Sequence, residues 1–266
     1  MDDLTVFEII LISNVGIATH NLTQNVPTNI PLHNQVVPNE HHRSQEYLEK
    51  IADWTDQKKM VLNEKTSKAM IFNFSKKYQF TTNLKLKGDK LKVLKETKLL
   101  GTVITIDLKW NKNTDYIVKN ANKRMKMLHV AAKFINNHQD LVYLYKTFIR
   151  SVMEFSAVVW HSSLSQANIS DIERIQKSAM KVILKDQYKD YKSALSQLKL
   201  ESLSKRREIL CLKFAKKCLK LNKFKRMFPM NNKSHSMKQR KSKKFLENHA
   251  NTDRYFKSSI PYMQIC

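Results

Sequence analysis

Apolar positions along the chain change period twice. Residues 4–18, LTVFEIILISNVGIA, are an almost unbroken apolar run, which predicts a buried strand with its flank. A signal peptide would want a basic start. Here Met1-Asp2-Asp3 opens the run and Glu8 interrupts it, so no leader is expected. Residues 19–45 are polar, with Pro27, Pro31 and Pro38, and read as a long loop. Ser44 follows as an N-cap, and Tyr47, Leu48, Ile51 and Trp54 recur at helical spacing, which predicts a helix over residues 44–60. The period then falls to two. Met70, Phe72 and Phe74 alternate with Ile71, Asn73 and Ser75, and Phe80 to Leu86, Leu91 to Leu94 and Thr97 to Ile106 extend the pattern. Three or four short antiparallel strands are expected across residues 68–110, with a hairpin turn at Lys87-Gly88-Asp89 and a bulge or close backbone approach at Gly101.

From Asn113 the pattern is helical. Ile117, Ala121, Met125, Leu128 and Ala132 share one face, and Leu141, Leu144, Tyr145, Phe148 and Val152 share a second. Ile172, Ile175, Ala179, Val182 and Ile183 form a third, and Leu203, Leu210, Phe214 and Cys218 a fourth on a long helix. No proline stands between Pro38 and Pro229 to interrupt these elements. The remainder, from about Lys223 to Cys266, is basic, polar and expected to be loosely ordered, with a short helix near Lys241–Asn248. The expectation is an α+β chain: an antiparallel sheet region over residues 1–112 with its loop at 19–45, an all-helical region over 113–222, and a basic tail over 223–266.

Charge changes the picture. The 48 Lys and Arg against 23 Asp and Glu give a net charge of +25. The surplus starts after residue 45, because residues 1–45 hold Arg43 against Asp2, Asp3, Glu8 and Glu40. Between Lys213 and Lys244 stand 13 basic residues and no acidic one. Such a field attracts polyanions, of which nucleic acid is the commonest inside cells; the plain alternative is a lysine-rich solubilising surface. Three cysteines, Cys211, Cys218 and Cys266, do not make a disulfide scaffold and fit a reducing compartment, so an intracellular, cytoplasmic or nuclear location is expected. No apolar run is long enough to span a bilayer, and no membrane partner is expected. Three glycines, Gly16, Gly88 and Gly101, leave no material for a phosphate-binding loop or a dinucleotide fingerprint, so no dinucleotide cofactor is expected.

The order of motifs resembles the end of the palm and the thumb of a non-LTR (LINE-like) retrotransposon reverse transcriptase. The chain reads Met1-Asp2-Asp3-Leu4, then Trp54, then Leu62-Asn63-Glu64-Lys65-Thr66-Ser67-Lys68-Ala69-Met70-Ile71-Phe72. Lys98-Leu99-Leu100-Gly101-Thr102-Val103-Ile104 and Leu108-Lys109-Trp110 follow. Phe148-Ile149-Arg150-Ser151, Val159-Trp160-His161-Ser162, Ile172-Glu173-Arg174-Ile175-Gln176-Lys177 and Ile260-Pro261-Tyr262-Met263 complete the series. The resemblance implies a residual palm sheet followed by a helical thumb, and an origin in RNA-directed DNA polymerase. It departs from the family at the Asp-Asp box, which lacks its aromatic residue, and at Thr66-Ser67, where the family has Lys-Thr. The fingers and the first palm aspartate have no counterpart, so the fragment is expected not to polymerise by itself.

Residue roles follow from that resemblance. Asp2 and Asp3 match the carboxylates that hold Mg2+ for nucleotidyl transfer, a hard-cation role suited to oxygen ligands, although adjacent strand residues point to opposite faces. Without the partner aspartate, stable Mg2+ binding by this chain alone is not expected. Lys65 or Lys68 matches the lysine that protonates the leaving pyrophosphate, and Leu100-Gly101 the primer grip. Lys119, Lys123, Arg124 and Lys126, with Lys205, Arg206, Arg207, Lys213, Lys216, Lys217 and Lys220, would hold phosphates of RNA, DNA or an RNA–DNA hybrid. Their plain alternative is a solvated helix face. Two other readings remain: a non-enzymatic basic binding module, and a decayed reading frame with no role. Residues 149–183 also resemble a short region of an alkylated-DNA-repair AlkB-homologue family, from which demethylation is not inferred. Cys211 and Cys218 are seven apart on one helix face and read as core residues. His138-Gln139-Asp140 has a facial-triad spacing, but Asp140 suits a helix cap or first turn.

Overall fold

The computed structural model describes residues 9–12, 40–60, 62–63, 67–73, 83–222, 224, 228 and 256–265. Its contacts divide the chain into two compact units, residues 1–108 and 109–266. Among the described residues, the first mixes one helix with short strands and the second is helical. The coarse α+β expectation holds in that sense.

In the first unit, β1 (Ile9–Ile12) leads to α1 (Glu40–Gln57) and β2 (Lys68–Asn73). Two-residue strands β3 (Lys85–Leu86), β4 (Asp89–Lys90) and β5 (Lys92–Val93) follow, then β6 (Glu96–Leu99) and β7 (Thr102–Thr105). The sheet order is β1-β2-β5, and both pairings are parallel, with Ile9 opposite Met70 and Lys68 opposite Lys92. The expected antiparallel sheet is therefore corrected. The β1–β2 connection is long and carries a helix, which is what a parallel crossover needs. Among the described residues, antiparallel pairing occurs in the hairpins β3–β4 and β6–β7.

Each hairpin closes through two residues at positive φ, Lys87 (48°) with Gly88 (94°) and Leu100 (45°) with Gly101 (85°). These are type I′ turns, whose twist matches that of the strands. Gly101 thus makes a turn, not a bulge within a longer strand.

Helix α1 begins before Ser44, so the polar loop is shorter than expected and Ser44 is not its N-cap. Its packed face is Leu48, Ala52 and Thr55, with Ile51 beside it, while Trp54 is half exposed. Leu48 and Ala52, with Ile51 against them, meet Leu62, Ala69, Leu84, Leu86 and Leu91 in one core cluster. Gln45 behaves like a missing strand: its Nε2 donates to the Lys85 carbonyl (3.0 Å) and its Oε1 accepts from the Lys85 N–H (2.9 Å). That exchange ties α1 to β3 at a sheet edge.

The second unit opens with α2 (Asn111–Phe134), whose buried stripe contains all five positions expected from the spacing, Ile117, Ala121, Met125, Leu128 and Ala132. Next come α3 (His138–Leu144), a π-helical stretch (Tyr145–Arg150), α4 (Ser151–Glu154) and α5 (Ala157–Trp160). Then follow α6 (Gln166–Leu184), α7 (Tyr191–Gln197), α8 (Leu203–Lys220) and α9 (Ser259–Ile265). Asn137, Ser165, Asp190 and Ser202 cap α3, α6, α7 and α8 by accepting first-turn N–H groups. Each such cap contributes about 1 kcal/mol.

The π stretch changes which residues are inside. Leu141, Tyr145, Ile149 and Met153 are all buried, although successive steps of four drift by about 40° on a plain α-helix. A wider π turn cancels that drift. Thr147 and Ser151 favour it locally, because each hydroxyl donates to the carbonyl four residues back. Phe148, expected inside, is 42% exposed as a result.

Helix α2 packs chiefly along α6, joined at their starts by the Asn168 Nδ2 donation to Asn111 Oδ1 (2.8 Å). Helix α8 packs on α5 and α6, and α9 packs on α8. The tail is therefore not loose at its end. Met263 and Phe228 join Cys211, Ala215 and Cys218 in a buried cluster, which supports the core-packing reading of both cysteines. The expected helix near 241–248 lies outside the described residues. No helix among the described residues is long and apolar enough to cross a membrane.

Candidate nucleic-acid interface

At about 100° per residue, Lys112, Lys119, Lys123, Lys126 and Lys133 fall within about 80° of one another on α2. That arc lies opposite the buried stripe, and all five lysines are exposed. They run along about 30 Å of helix. Asp115 is the helix's single acidic residue. Arg124 leaves the stripe and its Nη1 donates to the Phe148 carbonyl (2.6 Å), so its expected place on that face is corrected.

Helix α8 repeats the arrangement. Its buried stripe is Leu203, Arg207, Cys211, Ala215 and Cys218, and Lys205, Lys213, Lys216, Lys217 and Lys220 are exposed away from it. Lys205 pairs with Glu201 at 3.4 Å, a solvent-exposed contact of little energetic weight. Arg206 is committed to Glu154 through two hydrogen bonds, Nε to Oε1 (2.5 Å) and Nη2 to Oε2 (3.1 Å). The Glu154 hydrogen bond, followed by its charge, raises the Arg206 pKa further above its ordinary value. Arg206 is thus an inter-helix clamp, not a spare phosphate ligand.

Arg207 is fully buried, which overturns its expected place on the binding face. Spacing alone would have found it, since 203, 207 and 211 recur at helical intervals. The expected face through Leu210 and Phe214 avoided a cation in the core, and Phe214 is 40% exposed. The Arg207 guanidinium stacks over the Trp160 ring (5.7 Å), and its Nε donates to His161 Nδ1 (3.4 Å). Its Nη1 and Nη2 have no hydrogen-bond partner among the described residues. Burial lowers its pKa, and the charges of Glu173 and Glu154 partly offset that.

A polar network surrounds it. Tyr145 donates to Gln176 Oε1 (2.5 Å), and Gln176 Nε2 donates to the Tyr191 hydroxyl (2.9 Å) and the Glu201 carbonyl (2.9 Å). Tyr191 and the Leu203 N–H both donate to Glu173 Oε1. Burial, then the Glu173 hydrogen bond, raises the Tyr191 pKa. His161 is pushed down to about 4, first by burial and then by Arg207, and it meets Tyr262 of α9 edge-on at 6.2 Å. Trp160, His161, Glu173 and Gln176 of this network belong to the Val159-Trp160-His161-Ser162 and Ile172…Lys177 motifs, while Arg174 and Lys177 of the second motif are exposed.

Sequence reasoning missed a shallow groove of about 410 Å³ between α2 and α6, lined by His129, Ala132, Lys133, Lys181, Val182 and Lys185. The seven-residue recurrence of lysine on α2 pointed to Lys133; Lys181 and Lys185 required the packing of α6. Lysines in the last turns of helices also complement the helix dipole.

Of the expected catalytic and primer-grip residues, only Lys68, Leu100 and Gly101 are among the described residues. Asp2, Asp3 and Lys65 lie outside the described residues. Lys68 is exposed at the start of β2, and its partner in register is Lys92, a second cation. Leu100 stands at a hairpin tip, 86% exposed. Among the described residues no group of three or more His, Cys, Asp or Glu is placed to hold a metal. No protein-family model, curated protein or solved structure matches the chain.

Proposed function

We propose that this chain derives from the end of the palm and the thumb of a non-LTR retrotransposon reverse transcriptase, and that its helical unit holds nucleic-acid backbone. The ordered motifs support the origin. The lysine stripe of α2 carries the binding reading: five exposed cations on one arc, opposite the packed face. Lysine is a flexible point charge suited to phosphates and poor at reading bases. Residues 109–222 hold 23 basic against nine acidic side chains, so the stripe sits in a wider positive field. Polymerisation is not assigned to these residues alone.

Fluorescence anisotropy of an RNA–DNA hybrid over a salt series tests the reading. Each phosphate contact adds about 0.9 to the log–log slope for duplex DNA, and a hybrid should behave similarly. Replacing Lys119, Lys123 and Lys126 together by Ala should weaken binding and flatten the slope by about 0.9 per lysine, with unchanged circular dichroism. Unchanged affinity and slope would overturn it. Asp2→Asn with Asp3→Asn should leave this binding intact.

A further inference from the structure

We infer that the outer face of α2 docks an acidic amphipathic helix of a partner protein. Three large apolar residues are exposed there: Met127 (42%), Val130 (56%) and Phe134 (80%). They stand at i, i+3 and i+7, the spacing by which one helix anchors on another. In heptad terms they are positions a, d and a; the preceding a position is Asn120, where asparagine sets register, and the preceding d position is Lys123, so the apolar anchors occupy the C-terminal end of the seam. Position g is Lys119, Lys126 and Lys133, exposed at every repeat. Position e is Ile117, Arg124 and Ala131, with no acid among them.

That charge pattern selects the occupant. A second copy laid parallel would bring g lysines toward Arg124 and Ala131, since Ile117 is buried in the packed face of α2. Laid antiparallel, it would bring lysine against lysine. Like charges across such a seam disfavour self-pairing. A helix with apolar a and d positions and glutamates beside them meets the apolar anchors and the lysines together. This goes beyond backbone binding, because the anchors are apolar. It also adds a consequence: the partner and nucleic acid would compete for Lys119 and Lys126.

The test uses the full chain and a fluorescein-labelled three-heptad peptide with Leu at a and d and Glu at e and g. Saturable binding is expected. Val130→Ser with Phe134→Ser should weaken it at least about tenfold, since each buried apolar side chain is worth more than that. Hybrid binding by this variant should be unchanged, which separates the inference from the proposed function. Both positions are exposed, so circular dichroism should match the parent. Four results would overturn the inference. One is absence of saturable peptide binding. Another is equal binding of a peptide with Ser at a and d, which would leave charge alone. A third is sedimentation showing a dimer that the variant dissolves, which would give the face to a second copy. The last is loss of hybrid affinity in the variant, which would place nucleic-acid bases on Phe134.

Discussion

At residue scale, Arg207 and His161 form an unusual buried pair. The Arg207 Nε–H points at His161 Nδ1, so that nitrogen must keep its lone pair and the imidazole must stay neutral. The depressed His161 pKa is the same fact in titration terms. The folded value, about 4, lies below the ordinary 6.5, so the unfolded chain binds the extra proton first. This group's stabilising contribution is complete above pH about 6.5 and is lost as pH falls toward about 4. Urea midpoints measured across that window should fall with acidification, and His161→Asn, which does not titrate, should remove that part of the slope. Identical pH profiles for the two proteins would sink the account. Arg207 shows why a residue's role is hard to read from its type. Its position is legible from spacing, but the ring of Trp160 and the field of Glu173, which make its burial tolerable, come from distant segments.

At element scale, the two hairpins show how local chemistry is read well at one turn and poorly at another. Lys87-Gly88 sits between clear turn signals. Leu100-Gly101 sits within an apolar stretch that looks like continuous strand, yet both close as two-residue turns. A leucine at φ +45° is strained, because its Cβ crowds the backbone in the left-handed region. Asparagine tolerates that region better. Leu100→Asn should therefore stabilise the β6–β7 hairpin by up to about 1 kcal/mol, read as slower exchange of its ladder amides. Unchanged exchange would mean that the turn carries no strain. The π stretch is the opposite case. It rotates Phe148 outward and Ile149 inward, and periodicity counted at 3.6 residues per turn cannot foresee it.

At the scale of the whole helical unit, α9 returns to close the core. Met263 packs with Cys211, Ala215 and Cys218, Tyr262 covers His161, and the Ser259 hydroxyl donates to the Val159 carbonyl (2.8 Å). Asp at position 263 would place a carboxylate in that cluster, whose desolvation cost would expel α9. In a Cys266→Ser background, Met263→Asp should make the buried thiols Cys211 and Cys218 react with a thiol reagent at least several-fold faster. Protection equal to the parent would show that α9 is dispensable to the core.

Helix existence, the stripe of α2 and its opposing lysines follow from the chain's own order, because 3.6-residue periodicity and charge are local properties. The turn at Gly88 and the cysteines' place in the core are legible for the same reason. Parallel pairing of β1 with β2, the burial of Arg207, the α2–α6 groove and the docking of α9 are not. Each depends on which distant segments meet. An arginine is tolerated inside, or a loose tail becomes a helix, only once packing has supplied the ring, carboxylates or apolar surface that offset the cost.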